Sequence, residues 1–192
     1  MRYEGEKIQI GGVAMKWNDY IIESGVLTRY IGSDGEVTIP AEVTAIGWGA
    51  FSHCESLTRV HIPSGVTEID ANAFSSCKNL KSVVIGAGIT VLNHGVFCAC
   101  ENLTDVVLPN GITTIQTYAF HSCSSLVSIV LPDSVTTIED EAFSWCRNLT
   151  TVNIPKNLKT ISNQAFFRCR KLKNLTVPDE VTVIDDDWGD YC

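Results

Sequence analysis

The chain has 192 residues and a formal net charge of −8, a balance that argues against general nucleic-acid binding. Hydrophobic residues make up 45% and charged residues 19%, which excludes a disordered chain and fits a single core-forming domain. No apolar run reaches the roughly 18 residues of a membrane-spanning helix, and eight cysteines pose the question of a disulfide framework.

From the N-terminus, the first 25 residues carry charges throughout and show no apolar core of a signal peptide, which by sequence alone reads as cytoplasmic. Ile8, Ile10 and Val13 fit an added strand. Tyr20 to Tyr30 reads as a hairpin with Ser24-Gly25 at its turn, and Asp34-Gly35 is a second turn signal. Val37, Ile39 and Pro40 then fall in register with Val60, Ile62 and Pro63. Residues 1–39 are therefore expected to form capping strands whose hairpin covers the first coil's open edge.

From residue 40 the chain repeats. Cys54, Cys77, Cys100, Cys123, Cys146, Cys169 and Cys192 are spaced 23 apart. Phe51, Phe74, Phe97, Phe120, Phe143 and Phe166 keep the same step, as do Leu57 to Leu172 and Ile46 to Ile184. A strict period of this length predicts a solenoid. Within one coil, Leu57-Thr58-Arg59-Val60-His61-Ile62 ends in a period-2 pattern that suits a strand, and Pro63 stops the ladder because it has no N–H to donate. Val66 to Ile69 is a second β-rich stretch, and Phe74 and Cys77 have the spacing of one helical face. The predicted fold is a right-handed coil, mostly β, with a parallel sheet on the concave face, short helical turns and an N-terminal β-hairpin cap. It holds six full repeats over 40–177 and a partial repeat over 178–192, with equivalent positions about 4.8 Å apart. In the partial repeat Trp188 and Gly189 replace the core Ala and Phe, among six acids. A charged cap that blocks edge pairing and an array cut short both fit.

The unit P-x-x-[VIL]-T-x-I-x-x-x-A-F-x-x-C-x-x-L-x-x-V-x-I, with its Cys before the strand, resembles the leucine-rich repeats of the BspA-like bacterial surface proteins. The resemblance runs from about Asp19 to the end. It implies adhesion or contact with a host protein, and a cell-surface or secreted location.

The cysteine column reads as buried, reduced thiols. Metal ligands converge on a point, not a line, and disulfides among seven would leave one over. Cys98 departs from the column. Its equivalents are Ser52, Ser75, His121, Ser144 and Phe167, so it is expected to be an outward, fast-reacting thiol. His94 lies four residues earlier and His121 one coil on, which makes Cys98 a remote alternative for a thiol or metal site. No carboxylate at a recognisable spacing orients either histidine. With no phosphate loop and no Ser/His/Asp arrangement, neither an enzyme nor a cofactor is expected.

Surface columns carry the functional expectation. No Lys or Arg occurs from 82 to 146, and no Asp or Glu from 142 to 178. Asp133, Lys156 and Asp179 share a column and are expected to pair, while Arg147, Arg170 and Lys171 form either a patch for an acidic partner or a solvated face. On the strand face His61, Val84, Val107, Val130 and Asn153 point outward, beside the column that contains Arg59 and Asp105. The stacked valines read as the apolar centre of a binding surface or as plain β-propensity. N-x-T sequons occur at Asn102, Asn148 and Asn174. The expected function is a non-enzymatic protein–protein recognition module, with a structural or self-associating repeat protein as the alternative. Its partner is a protein, without nucleic acid or membrane insertion, and it is a monomer or associates weakly end to end.

Overall fold

The computed structural model describes residues 7–10, 13–16, 19–173 and 175–183, the first two segments as backbone. Expectations for Asn174, Cys192 and the acidic stretch 184–192 lie outside the described residues. Strands β1 (Lys7–Ile10) and β2 (Val13–Lys16) form an antiparallel hairpin. A second hairpin joins β3 (Tyr20–Glu23) to β4 (Val26–Tyr30). Its turn residues Ser24 and Gly25 both have positive φ, 51° and 82°, the handedness that matches the twist of a two-residue hairpin.

Short strands then alternate: β5 (Glu36–Thr38), β6 (Ala45–Ile46), β7 (Arg59–Ile62), β8 (Glu68–Ile69), β9 (Ser82–Ile85) and β10 (Val91–Leu92). They continue as β11 (Asp105–Val107), β12 (Thr114–Ile115), β13 (Ser128–Ile129), β14 (Thr137–Ile138), β15 (Thr151–Val152), β16 (Thr160–Ile161) and β17 (Thr182–Val183). The L-x-x-V-x-I segments stack in parallel as β5-β7-β9-β11 and then β13-β15. The V-T-x-I segments stack as β6-β8 and then β10-β12-β14-β16-β17. Strand β4 pairs in parallel with β6, Leu27 opposite Ile46, so the hairpin covers the first coil's edge as expected.

Each stack is interrupted once, and the local contacts differ at each interruption. Between β8 and β10 the turn carries Gly86 and Gly88, where a Cβ would collide with the backbone of Ser64 to Val66. The next coil runs against the previous one there, and Asn93 Nδ2 donates to Ile69 O at 2.9 Å. In other coils a backbone N–H fills that role, as from Gln116 to Leu92 O at 2.9 Å. Between β11 and β13 a different tie is missing. Asn79, Asn102 and Asn148 donate Nδ2 to the carbonyls of Glu55, Lys78 and Ser124 in the preceding coil, at 2.8–2.9 Å. At Ser125 the backbone N–H donates to Glu101 O at 3.0 Å, beside Ser124 Oγ at 3.2 Å, and the strand after it does not pair with β11.

The segment expected to be a short helical turn folds differently. Among the described residues it contains no α-helix. Two positions per coil are left-handed: Gly49 and His53, Asn72 and Ser76, Gly95 and Ala99, Tyr118 and Ser122, Glu141 and Trp145, Gln164 and Arg168, with φ between 50° and 62°. Alternating handedness turns successive peptides in opposite directions. Asn72, Phe74 and Ser76 therefore donate to His94, Val96 and Cys98 of the next coil, while Ser75 and Cys77 close turns onto Asn72 and Phe74. A helix would direct every N–H along its own axis; this run bonds each coil to its neighbour.

The core is a set of stacked columns. Rings pile up from Tyr20 through Tyr30 and the six Phe residues, with centroids 4.8–5.5 Å apart. Every Phe in the stack is buried. Tyr30, from the hairpin, supplies the ring on which the first coil rests. The cysteine column lies beside it. Cys77, Cys100, Cys123, Cys146 and Cys169 donate Sγ–H to Phe51, Phe74, Phe97, Phe120 and Phe143 O at 3.0–3.3 Å. A thiol both fills a small apolar space and gives a buried carbonyl its second donor.

Candidate interaction face

Period-2 alternation in β7, β9 and β11 directs Val60, Val83 and their equivalents inward and His61, Val84 and Val107 outward. His61 stands opposite Val84, and Val84 opposite Val107. Val84 is half-buried, whereas Val107 is 56% and Val130 75% exposed. Val127 is also exposed, at 51%, and was not singled out from the sequence. The signal was present: it is the one apolar residue in the column Thr58, Lys81, Thr104, Val127, Thr150, Lys173.

The polar residues around the valines differ in what they are free to do. Arg59 Nε lies 3.7 Å from Glu36 Oε1, with both side chains mostly exposed, so the pair contributes about 0–1 kcal/mol. Asp105 is exposed and accepts from Thr104 Oγ1 at 2.6 Å. Asn153 is committed to the scaffold: Oδ1 accepts from Leu131 N and Nδ2 donates to Leu131 O, both at 2.7 Å. Asn102 and Asn148, of the sequons, likewise use Nδ2 on backbone carbonyls.

Cys98 is half-buried, not an outward thiol, and burial pushes its pKa up. Around it the structure gathers residues that the sequence left apart. His121 Nδ1 lies 2.6 Å from Ser144 Oγ and 3.7 Å from Glu141 Oε2, which corrects the expectation that no carboxylate orients a histidine. Tyr118 Oη donates to Glu141 Oε1 at 2.9 Å, and this bond pushes its pKa up. His94 and His121 each meet the Tyr118 ring edge-on, at 5.6 and 5.2 Å. The partners come from the next coil, 23 residues on or close to it. Burial lowers the His121 pKa, with Glu141 opposing. Ser and Glu both address Nδ1, and Ser144 is fully buried. A nucleophile–base–acid relay needs them on opposite ring nitrogens with the hydroxyl accessible, so the cluster has a structural geometry.

Among the described residues no group of three or more His, Cys, Asp or Glu is placed to hold a metal ion, and all the described cysteines are free. Burial raises the Cys77 pKa to about 12 and holds Cys100 and Cys146 well above the ordinary value. In the basic region Arg147 and Arg168 lie over the Trp145 ring at 4.8 and 5.6 Å, and Arg168 also over Phe167 at 5.2 Å. Lys156 Nζ pairs with Asp133 Oδ2 at 3.1 Å and holds that carboxyl below its usual range. Among the described residues no such pair reaches Asp179.

The profile of the BspA-type leucine-rich repeat region, in six copies, matches residues 33–146 and 113–192. A leucine-rich repeat protein of T. pallidum is similar at 31% identity and a TM-score of 0.78, over 82% of this chain and 79% of that one. A leucine-rich cell surface protein of Faecalibacterium prausnitzii is similar at 31% identity and 0.76, over 95% of this chain and 51% of that one. A leucine-rich repeat protein of Bacteroides ovatus is similar at 26% identity and 0.68, over 96% and 56%. The chain thus spans about half the length of the latter two. No curated protein matches it. Among the described residues no helix is long and apolar enough to cross a membrane.

Proposed function

The chain belongs to the BspA-type leucine-rich repeat family, and on that premise we propose that it is a protein-recognition module working through the face formed by its β5-β7-β9-β11 and β13-β15 sheets. Residues 40–177 are its contact array and residues 1–39 its lead-in. The observation that carries this reading is the exposure of Val107 and Val130, 56% and 75%, at the same position of successive coils. Contiguous exposed apolar area marks contact surfaces, and a stacked sheet holds it rigid, so little ordering cost opposes binding. Val84 and His61 extend the column toward the N-terminal coils, and Arg59 and Asp105 supply a polar rim. Asn153 shapes the strand end beneath Val130. Adhesion at a cell surface is the setting suggested by the Faecalibacterium relative, whose description names that location.

The test is selection of displayed peptides on the immobilised chain, followed by the double variant Val107→Glu with Val130→Glu. Both positions are exposed, so the far-ultraviolet circular dichroism and melting curve should stay the same while the selected peptides are lost. Peptides that bind the double variant as well as the parent refute the reading.

A further inference from the structure

Apart from the valines of the sheet face, we infer a second binding site at the corner where the fifth and sixth coils turn toward their strands: a cationic site for an acidic segment of a partner protein, one that carries three or more neighbouring carboxylates. Residues 142–178 hold seven bases and no Asp or Glu, and four of those bases come together. Arg147 and Arg170 occupy one column in successive coils, about 4.8 Å apart along the stack, and Lys171 and Lys173 follow Arg170 within three residues. All four are exposed, and none has an ion-pair partner among the described residues. Serines fill the equivalent positions of the coil before, at Ser124 and Ser125. In that column the preceding carboxylate is Glu101, two coils before Arg147, and it faces Lys78 at 3.5 Å.

Charge stands here where other coils use side chains to tie the stack. Lys171 takes the position from which Asn79, Asn102 and Asn148 bond the preceding coil. Lys173, like Lys81 in the second coil, takes the position from which Thr58, Thr104 and Thr150 donate Oγ1 to a preceding carbonyl at 2.7–3.2 Å. Arg147 is held in place by the Trp145 ring, 4.8 Å beneath its guanidinium, which lowers the ordering cost of using it in a contact.

Magnitudes decide what fits. Arg170 to Lys173 spans at most about 10 Å of chain, and Arg147 lies one coil step away, so the four cations sit within little more than one Debye length at physiological salt. They act together on one ligand. A single exposed ion pair shifts an equilibrium by at most about fivefold, so a lone carboxylate gains little. Carboxylates on adjoining residues of one segment meet all four cations, and the two guanidinium forks each offer a carboxylate two parallel bonds. The net charge of −8 repels an anion from the rest of the surface, which confines docking to this corner.

The experiment titrates the full chain by fluorescence anisotropy with a labelled peptide, Gly-Glu-Glu-Thr-Glu-Glu-Gly, and with the same peptide carrying Gln in place of Glu. The glutamate peptide should bind, more weakly as salt rises, and the glutamine peptide should not. Arg147→Gln with Arg170→Gln should weaken binding about five- to thirtyfold and flatten the salt dependence, with an unchanged melting curve. Lys81→Gln, the same charge change in the column of Lys173 but four coils away, should leave binding unchanged, as should Val107→Ser with Val130→Ser. Asp185→Asn with Asp187→Asn should alter it less than about twofold. No binding of the glutamate peptide at about 1 mM, equal binding of the glutamine peptide, or equal effects of the arginine and Lys81 variants overturns the inference. A tenfold rise in the aspartate variant overturns it too, since the chain's own acids then hold the corner. So does a heparin oligosaccharide that binds through Arg147 and Arg170 where the glutamate peptide does not, because the site then belongs to a sulfated glycan. Loss of the glutamate peptide in the valine variant moves its contact to the sheet face: this inference falls and the sheet-face reading stands.

Discussion

Ser125→Asn should repair the interrupted sheet between β11 and β13. In three other coils an asparagine at this position bonds the carbonyl of the preceding coil at 2.8–2.9 Å. At Ser125 the backbone N–H makes that bond itself, which draws the chain out of line with Asp105–Val107. Glu101 O already accepts from Ser125 N and Ser124 Oγ, so an asparagine amide that reaches it takes over the Ser125 bond and frees that backbone to pair. The net gain of such bonds is about 0.5–1.5 kcal/mol each, and the strand groups involved already bond water, so about 1–2 kcal/mol in total is expected. For a chain of 192 residues that is a rise of roughly 2–8 °C in Tm. Thermal unfolding measures the shift, and hydrogen exchange at Val106, Val107, Ser128 and Val130 locates it. The reciprocal change, Asn102→Ser, should lower Tm by a similar amount and expose the amides of β9 and β11. If Ser125→Asn leaves both Tm and exchange unchanged, the asparagine column does not set strand pairing.

Further outcomes follow from the same contacts. Asn153→Ala leaves the buried Leu131 with two unanswered backbone groups and should cost about 1–3 kcal/mol in urea unfolding; a neutral result would return Asn153 to the contact residues. The buried thiols resist ionisation when folded: Cys77 is pushed from 9 to about 12, and Tyr30 is raised to about 12 as well. A raised folded pKa favours the native state fully below pH 9, and this advantage is lost as pH climbs from 9 toward 12. Each thiol contributes a slope of up to about 1.4 kcal/mol per pH unit in that window. Urea midpoints at pH 8 to 11 should therefore fall steeply above 9, and a flat series refutes the argument. Under native conditions a thiol reagent should label the half-buried Cys54 and Cys98 before Cys77, Cys100, Cys123, Cys146 and Cys169; equal rates by mass spectrometry would show that the column opens as readily as the surface.

The coil was legible because burial repeats with it: one Phe, one Cys and a fixed set of aliphatics per 23 residues left few ways to close a core. The hairpin was legible from Ser24-Gly25. The convex run was not, since Phe74 and Cys77 at a spacing of three suit a helix and a chain of turns alike. What separates them is the sign of φ at Asn72 and Ser76, which side-chain chemistry barely encodes; Gly49, Asn72 and Gly95 in one column were the available hint. Cys98 was placed outward because its column is variable, although the coil half-buries it, and the partners of His121 were missed because Ser144 and Glu141 come from the next coil. The outward valines followed from alternation alone. The role of Asn153 did not, because it depends on where Leu131 turns its N–H and carbonyl.

His53, Ser76, Ala99, Ser122 and Trp145 share one backbone conformation and almost no chemistry. Each left-handed residue costs about 1 kcal/mol or more, offset by the N–H it sends to the following coil. The path of the chain there is set by peptide orientation and not by which side chain is attached. Evolution therefore has a ribbon of positions at fixed spacing where an imidazole, a hydroxyl or an indole is exchangeable without redirecting the coil. This ribbon can diversify independently of the sheet face: a lineage can change what this side of the coil presents while the valines of the sheet face stay the same.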